Sequence, residues 1–293
     1  MMKKILAAIL LTVLALTLFT GCGSETEKAN LSSATSLADL KGKKIAAQAG
    51  TFHADALTQI EDVKSSTYPE FADLLTALKS KAIDGYIAEE PTALSVCLSD
   101  SSLAYVALKN NDTGFTATAA DVGIAVGLAE GSALKDRINE VLATISEETR
   151  AALMEQMVRI SAGETVETLA LQSETPSETN GVLRVAMECA YEPFNWTEFG
   201  AKSVGAVPIS GEGKDGLFAN GYDVQVAKYI ANKLGMKLEV YQIEWDSLIP
   251  AVQSGTVDAV IAGMSPTEDR EKEVDFTSVY YSSNLVIIYN KEN

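Results

Sequence analysis

From Leu40 onward the chain alternates short apolar runs with amphipathic stretches. KIAAQAG is followed by FHADALTQI, FADLLTALKS and IDGYIAEE, and the rhythm restarts after Gly181 with VLRVAME, YDVQVAKYIANKLG, LEVYQIE, SLIPAVQSG and VDAVIAGM. That alternation predicts βα units. In the stretch from Asp223 to Leu234, Val226, Ile230 and Leu234 fall four apart beside Ala227 and Ala231, and Gly235 supplies a C-terminal stop, so a helix is expected there. DVGIAVGL, Asp121 to Leu128, reads as a strand, and helical segments follow from Ser132 to about Ile160. Between Gly200 and Asn220, Gly200, Gly205, Gly211, Gly213 and Gly216 predict a long surface loop. Their spacing is not G-x-G-x-x-G and no strand directly precedes them, which argues against a phosphate cradle.

The two halves also correspond residue by residue. Leu248 to Gly263 (LIPAVQSGTVDAVIAG) lies over Leu74 to Glu89 (LLTALKSKAIDGYIAE) without a gap, with six identities, and RVAME at Arg184 to Glu188 lies over KIAAQ at Lys44 to Gln48. A repeated helix, turn and strand implies two similar α/β lobes, each with its own sheet. Ligands of open α/β sheets sit beyond the carboxyl ends of the strands. Here those ends are Gln48 with AGTFH, Glu89, Glu188 with CAY, and Gly263 with MSPTEDR, so a cleft between facing lobes is the expected site.

Composition narrows the chemistry. The 293 residues are 47% hydrophobic and 22% charged, enough for a sizeable core. The formal net charge of −17 argues against nucleic acid as a partner. The single histidine, His53, leaves no second imidazole for a His-based metal site or relay, so neither a metal nor a cofactor is expected. At the N-terminus Lys3 and Lys4 precede an apolar run from Ile5 to Phe19, shorter than the roughly 20 residues of a membrane span, and the run ends in LFTGC. Residues 1–21 therefore read as a signal peptide, and the polar residues 22–35 as a flexible tether. Cys97 and Cys189 are either a long-range disulfide or, as the separation favours, two separate thiols. Residues 164–180, ending QSETPSETN, read as a linker.

Some side chains at these strand ends carry chemistry. Arg270 stands just past VDAVIAG, beside Ser265 and Thr267. A guanidinium aimed into a cleft can hold a carboxylate through two parallel hydrogen bonds. Taken alone it reads rather as an exposed arginine paired with Glu268 or Glu271. Glu89 changes that balance, because it ends the matching strand of the other lobe: one wall offers a cation and the other an anion, as a zwitterion such as a free α-amino acid requires. Of the aromatic residues in YEPFNW and EWDSL, Tyr191 and Trp245 are expected at the ligand, and Phe194 and Trp196 in the core. Glu188 is either a hydrated acid at the cleft edge or a buried one that needs a cationic group from the ligand.

The strings AYEPFNW, GYDVQVAKYIANKLG, EWDSLIPAVQSGTVDAVIAGMSPTEDR and VDFTSVYY resemble the first lobe of polar amino-acid binding proteins of ABC importers, and SLADLKGKKIAAQAGTF with AIDGYIAEEPTA resembles their second lobe. The resemblance implies a two-lobe periplasmic-binding-protein fold of type II. The family places its first lobe first, so the order here looks circularly permuted: lobe two at 36–120, a hinge strand and closing helices at 121–163, the linker at 164–180, and lobe one with the second hinge strand at 181–293. LFTGC resembles a lipobox, which implies cleavage before Cys22 and acylation of that residue.

Carried over by position, the resemblance implies that Arg270 and the backbone amides of Ser265 and Thr51 bind the ligand α-carboxylate. Glu89, the Ser265 hydroxyl and the Gly263 carbonyl would take the α-ammonium. Tyr191 and Trp245 would sandwich the side chain, with Glu188, Gln48 and His53 reading its tip. Glu89 stands where the family usually has Asp, and Ala262 where serine is frequent. The expectation is a monomeric, lipid-anchored, extracytoplasmic receptor with no catalytic residues, which captures a cationic amino acid, arginine or lysine, and delivers it to an ABC permease. Two alternatives share the fold: a periplasmic dehydratase of the cyclohexadienyl or arogenate type, and a ligand-sensing domain.

Overall fold

A computed structural model describes residues 31–172 and 178–292. The expected signal peptide, Cys22 and most of the tether lie outside the described residues. Leu31 and Ala34, at the end of the expected tether, are buried, and Leu31–Ser33 forms a 3-10 turn against the first sheet. No helix among the described residues is long and apolar enough to cross a membrane.

The first half builds β1 (Ile45–Gln48), a short α1 (Phe52–Ala56), β2 (Ser66–Tyr68), α2 (Phe71–Lys79), β3 (Gly85–Glu89), α3 (Glu90–Ser99) and β4 (Leu103–Ala107). The chain then crosses through β5 (Gly123–Ile124) and β6 (Gly127–Leu128) into α4 (Leu134–Leu142) and α5 (Glu147–Ser161). The second half holds β7 (Val182–Met187), β8 (Ala190–Tyr191), β9 (Asn195–Phe199), β10 (Val207–Pro208), β11 (Leu217–Asn220), α6 (Tyr222–Leu234), β12 (Lys237–Gln242), α7 (Leu248–Gln253), β13 (Ala259–Val260), β14 (Asp275–Phe276), β15 (Tyr281–Ser282) and β16 (Leu285–Asn290).

Two five-stranded sheets result, ordered β2-β1-β3-β16-β4 and β12-β7-β13-β6-β14. In each, three strands are parallel and the fourth runs antiparallel to them. The halves exchange strands: β16, from the end of the chain, lies in the first sheet, and β6, from its middle, lies in the second. The crossing segments themselves pair as β5 with β15. Strands β1, β3 and β16 are buried at every position, which is why they read as unbroken apolar runs.

The internal repeat extends to hydrogen bonding. Asp84 accepts from the Lys44 amide, and Asp258 accepts from the Arg184 amide, both at 2.8 Å. Each aspartate ends the turn before a parallel strand and ties it to its neighbour.

Helix α6 matches its apolar spacing, with Gly235 in the left-handed region at φ 67. Helix α5 begins on Ser146, whose side chain accepts from the Thr149 amide, with Glu147 and Glu148 in its first turn.

Two expectations are corrected. The Gly200 to Asn220 stretch is not simply a loop, because β10 pairs with β11 and β11 with β9 in a four-stranded antiparallel sheet. The glycines sit in its turns, where Gly200, Gly205, Gly211, Gly213 and Gly216 all have positive φ. The described part of the expected linker is docked, since Leu169 and Leu171 are buried and Gln156 bonds both Thr168 and Ala170. Residues 173–177 lie outside the described residues. Cys97 and Cys189 are free thiols.

Candidate ligand-binding site

The carboxyl ends of β1, β3, β7 and β13 meet in one cleft. It is lined by Gln48, Thr51, His53, Glu89, Tyr191, Trp245, Gly263, Ser265 and Arg270, all picked out from sequence, together with Phe52, Phe71 and Asp121, which were not. The tenth candidate, Glu188, lies directly behind Gln48: the Gln48 amide donates to Glu188 Oε1 at 2.9 Å and to the Pro69 carbonyl at 3.0 Å. Gln48 and Glu188 occupy equivalent positions of the repeat, so the two lobes touch through matching residues.

Glu188 is only 4% exposed, and burial, reinforced by the nearby Glu70 charge, pushes its carboxyl up to about 7. A buried acid of this kind is satisfied as a carboxylate only when a positive group approaches.

Arg270 spans the cleft. Its guanidinium donates to the Ser265 carbonyl on its own side and to the Gly50 carbonyl opposite, both at 2.9 Å. Trp245 lies against it, 5.2 Å from ring centre to guanidinium carbon, and donates to the same Gly50 carbonyl at 3.3 Å. Burial draws the Arg270 guanidinium below its ordinary pKa. Among the described residues it has no carboxylate partner within ion-pair distance.

Glu89 is 7% exposed, and its Oε2 lies 3.0 Å from His53 Nε2. His53 thus stands beside Glu89. The reason is local: Thr51 ends the loop after β1, and the first turn of α1 brings His53 back onto the end of β3.

The ring stacked on Tyr191 is Phe71, with centroids 4.1 Å apart and planes 10° from parallel, while Trp245 lies against Arg270. Phe194 stacks behind Tyr191 at 4.9 Å. The Tyr191 hydroxyl is buried without a hydrogen-bond partner. Gly263, at φ 64, permits this packing, since a Cβ there would come within 3.1 Å of the Tyr191 ring.

Beneath Gly263, Asp223 is fully buried. It accepts from the Tyr280 hydroxyl at 2.7 Å, the Asn195 amide at 2.8 Å and the Gly263 amide. Burial raises its carboxyl to about 7 despite these donors. The Ser265 hydroxyl donates to the Asp121 carbonyl at 2.9 Å, which ties this wall to the crossing segment before β5. Further contacts close the cleft edge: Thr92 donates to the Glu192 carbonyl at 3.1 Å, and the Ser95 and Ser161 hydroxyls meet at 2.7 Å.

Phe71, Asp121 and Asp223 were missed because each sits inside an ordinary secondary-structure signal. The one clue to Phe71 was its place just after Pro69 and Glu70, before the apolar stripe of α2 begins.

Comparison with known proteins finds a family model that matches part of the chain. Residues 183–293 match the model of the bacterial extracellular solute-binding proteins, family 3. The arginine-binding extracellular protein ArtP of Bacillus subtilis is 44% identical over 82 residues, 28% of this chain and 32% of that protein. The L-cystine-binding protein TcyA of the same organism is 33% identical over 113 residues, 39% of this chain and 36% of that protein. Among solved structures, an ancestral arginine-binding protein bound to arginine is 38% identical and covers 33% of this chain and 36% of that one, with a TM-score of 0.25. The chain spans about a third of the length of the curated relatives it matches.

Proposed function

We propose, from the match of residues 183–293 to the model of the bacterial extracellular solute-binding proteins, family 3, that the whole chain is an extracytoplasmic receptor for an amino acid. One observation carries the reading. Arg270, on the lobe that contains the family match, and Glu89, on the other lobe, line the same cleft with opposite charge. Arg270 spends its donors on main-chain carbonyls, which a ligand carboxylate can replace with two charge-assisted bonds. Glu89 Oε2 and the Tyr191 hydroxyl are the buried polar atoms of this cleft without a hydrogen bond, and a dipolar ligand would satisfy them.

The ligand side chain is cationic on this reading, arginine or lysine, because Glu188 is a desolvated acid behind the polar end of Gln48. Tyr191 lies on Phe71 at 4.1 Å, so insertion of a guanidinium between these rings requires them to separate by roughly a further 3 Å, about the thickness of one planar group. The crossing segments at β5 and β15 are where such opening would hinge. The family match falls on the second half of the chain, which supports a circularly permuted order. The receptor would be held to the membrane by a lipid on Cys22, would act as a monomer, and would hand its ligand to an ABC permease.

A thermal-denaturation panel of the twenty amino acids tests this. Arginine and lysine should raise Tm most, and Glu188→Gln should remove their advantage over glutamine. Preference for an acidic amino acid, or no shift with any of them, would overturn it. Glu188 also resembles the raised acid a dehydratase needs, but it lies behind Gln48, so incubation with prephenate should leave that compound unchanged.

A further inference from the structure

His53 is the only histidine of the chain, and its hydrogen bonds specify where protons must sit. The Thr51 hydroxyl donates to the Gln48 carbonyl at 2.8 Å, so its single proton is committed. Toward His53 Nδ1, 3.3 Å away, the Thr51 oxygen therefore acts as acceptor, which puts a proton on Nδ1. The other ring nitrogen, Nε2, lies 3.0 Å from Glu89 Oε2. A neutral ring protonated at Nδ1 would set the Nε2 lone pair against a carboxylate oxygen, which repels. The 3.0 Å separation is an ion-pair distance without a formed hydrogen bond, and one more proton, on Nε2 to give an imidazolium or on Glu89 to give a carboxylic acid, removes the repulsion. Both side chains are more than nine-tenths buried, at 8% and 9% exposure, so bulk water does not mediate the contact. Phe71 packs edge-on to the imidazole at 5.8 Å and fixes the ring in this orientation.

The other charges around the pair come from several elements. Arg270 and Asp121 line the same cleft, Asp223 lies beneath Gly263, Glu90 follows Glu89 at the start of α3, and Asp55 shares α1 with His53. Of these only Arg270 is cationic, and it is bonded to the Gly50 and Ser265 carbonyls. His53 is therefore the group that answers the Glu89 charge.

We infer that His53 holds, on Glu89, the place of the ligand's ammonium, so that capture of an amino acid displaces the proton His53 and Glu89 share and leaves the imidazole neutral. This rests on the reading of the cleft as an amino-acid site. No bond to carbon changes: the ammonium brings its own N–H donors to Glu89, and the displaced proton leaves to solvent. Binding should then release one proton, so arginine affinity should rise with pH for as long as the pair holds that proton.

The single histidine makes the test direct. In protein labelled with 15N-histidine, NMR between pH 5.5 and 8 should show a form with both ring nitrogens protonated that gives way to a neutral ring protonated at Nδ1 when L-arginine is added. Glu89→Gln should abolish the arginine-dependent change. Calorimetry should show arginine affinity rising by up to about ten-fold per pH unit on the acidic side, and a flat profile for His53→Gln. A proton found neither on Nε2 nor donated to it by Glu89 anywhere in this range, or a wild-type pH profile superimposable on that of His53→Gln, overturns the inference while leaving the amino-acid reading intact. Failure of both arginine and lysine to bind at every pH refutes the amino-acid reading and the coupling with it, and the NMR signal of the shared proton tells that failure from the first.

Discussion

Glu188 links one side chain to a measurable pH dependence. Its ordinary value lies near 4.5 and burial raises it to about 7 in the folded chain. Below the lower value both folded and unfolded chains hold the proton, and above the upper one both have lost it. Between them the folded chain binds more protons than the unfolded one, so stability falls as pH rises through this window. The full effect is about 3 kcal/mol. Asp223 acts in the same direction over a similar range, so the comparison must be with a variant. Glu188→Gln keeps an oxygen for the Gln48 amide and removes the titration. In urea unfolding it should gain up to about 3 kcal/mol on wild type between pH 4 and pH 8. Parallel curves would place Glu188 in contact with water.

At this scale Arg270, Glu89, Tyr191, Trp245 and His53 were legible as cleft residues because a strand end exposes its following residues to one place, and charge sign then limits what fits. Phe71 was not, because its position depends on how α2 turns back from a loop of irregular geometry.

Among the elements, the approach to α6 is the most constrained. Gly221 has φ 131, and a Cβ there would sit 2.2 Å from the Phe194 carbonyl oxygen, which is backbone and cannot swing aside. The close approach lets the Tyr222 and Asp223 amides donate to the Pro193 and Phe194 carbonyls at 3.1 and 2.8 Å, and so sets Asp223 under the cleft floor. Gly213 has φ 73 but open space around it. Gly221→Ala should therefore cost more than about 3 kcal/mol in urea unfolding, and Gly213→Ala about 1 kcal/mol from backbone strain alone. Equal costs would show that strain at positive φ, not the collision, decides both. The helices and central strands were readable from period and from the repeat. The β10 and β11 hairpin was not, since its residues VP and LFAN are too short and too glycine-flanked to carry a two-residue alternation.

For the molecule as a whole, exchange of β6 and β16 between the sheets makes the crossing segments part of both lobes. Arg150 on α5 donates to the Tyr280 and Leu142 carbonyls, and Tyr280 bonds Asp223 under the cleft, so the helices after the first crossing are wired to the second crossing and to the site floor. The repeat made two lobes and a cleft foreseeable, because six identities at constant spacing require two copies of one unit. Nothing in that pattern fixed how far the lobes close, which depends on contacts between residues more than a hundred positions apart, such as Gln48 with Glu188.

The central claim is that Arg270 and Glu89 hold the two charged ends of one ligand. Calorimetry with L-arginine, with agmatine, which lacks the carboxylate, and with 5-guanidinopentanoic acid, which lacks the ammonium, tests it most directly. Arginine should bind at one site, and each analogue at least about 100-fold more weakly, since each forgoes one of the two charge-assisted contacts at a cost of about 3 kcal/mol. Agmatine or the deaminated acid binding as tightly as arginine would contradict the account.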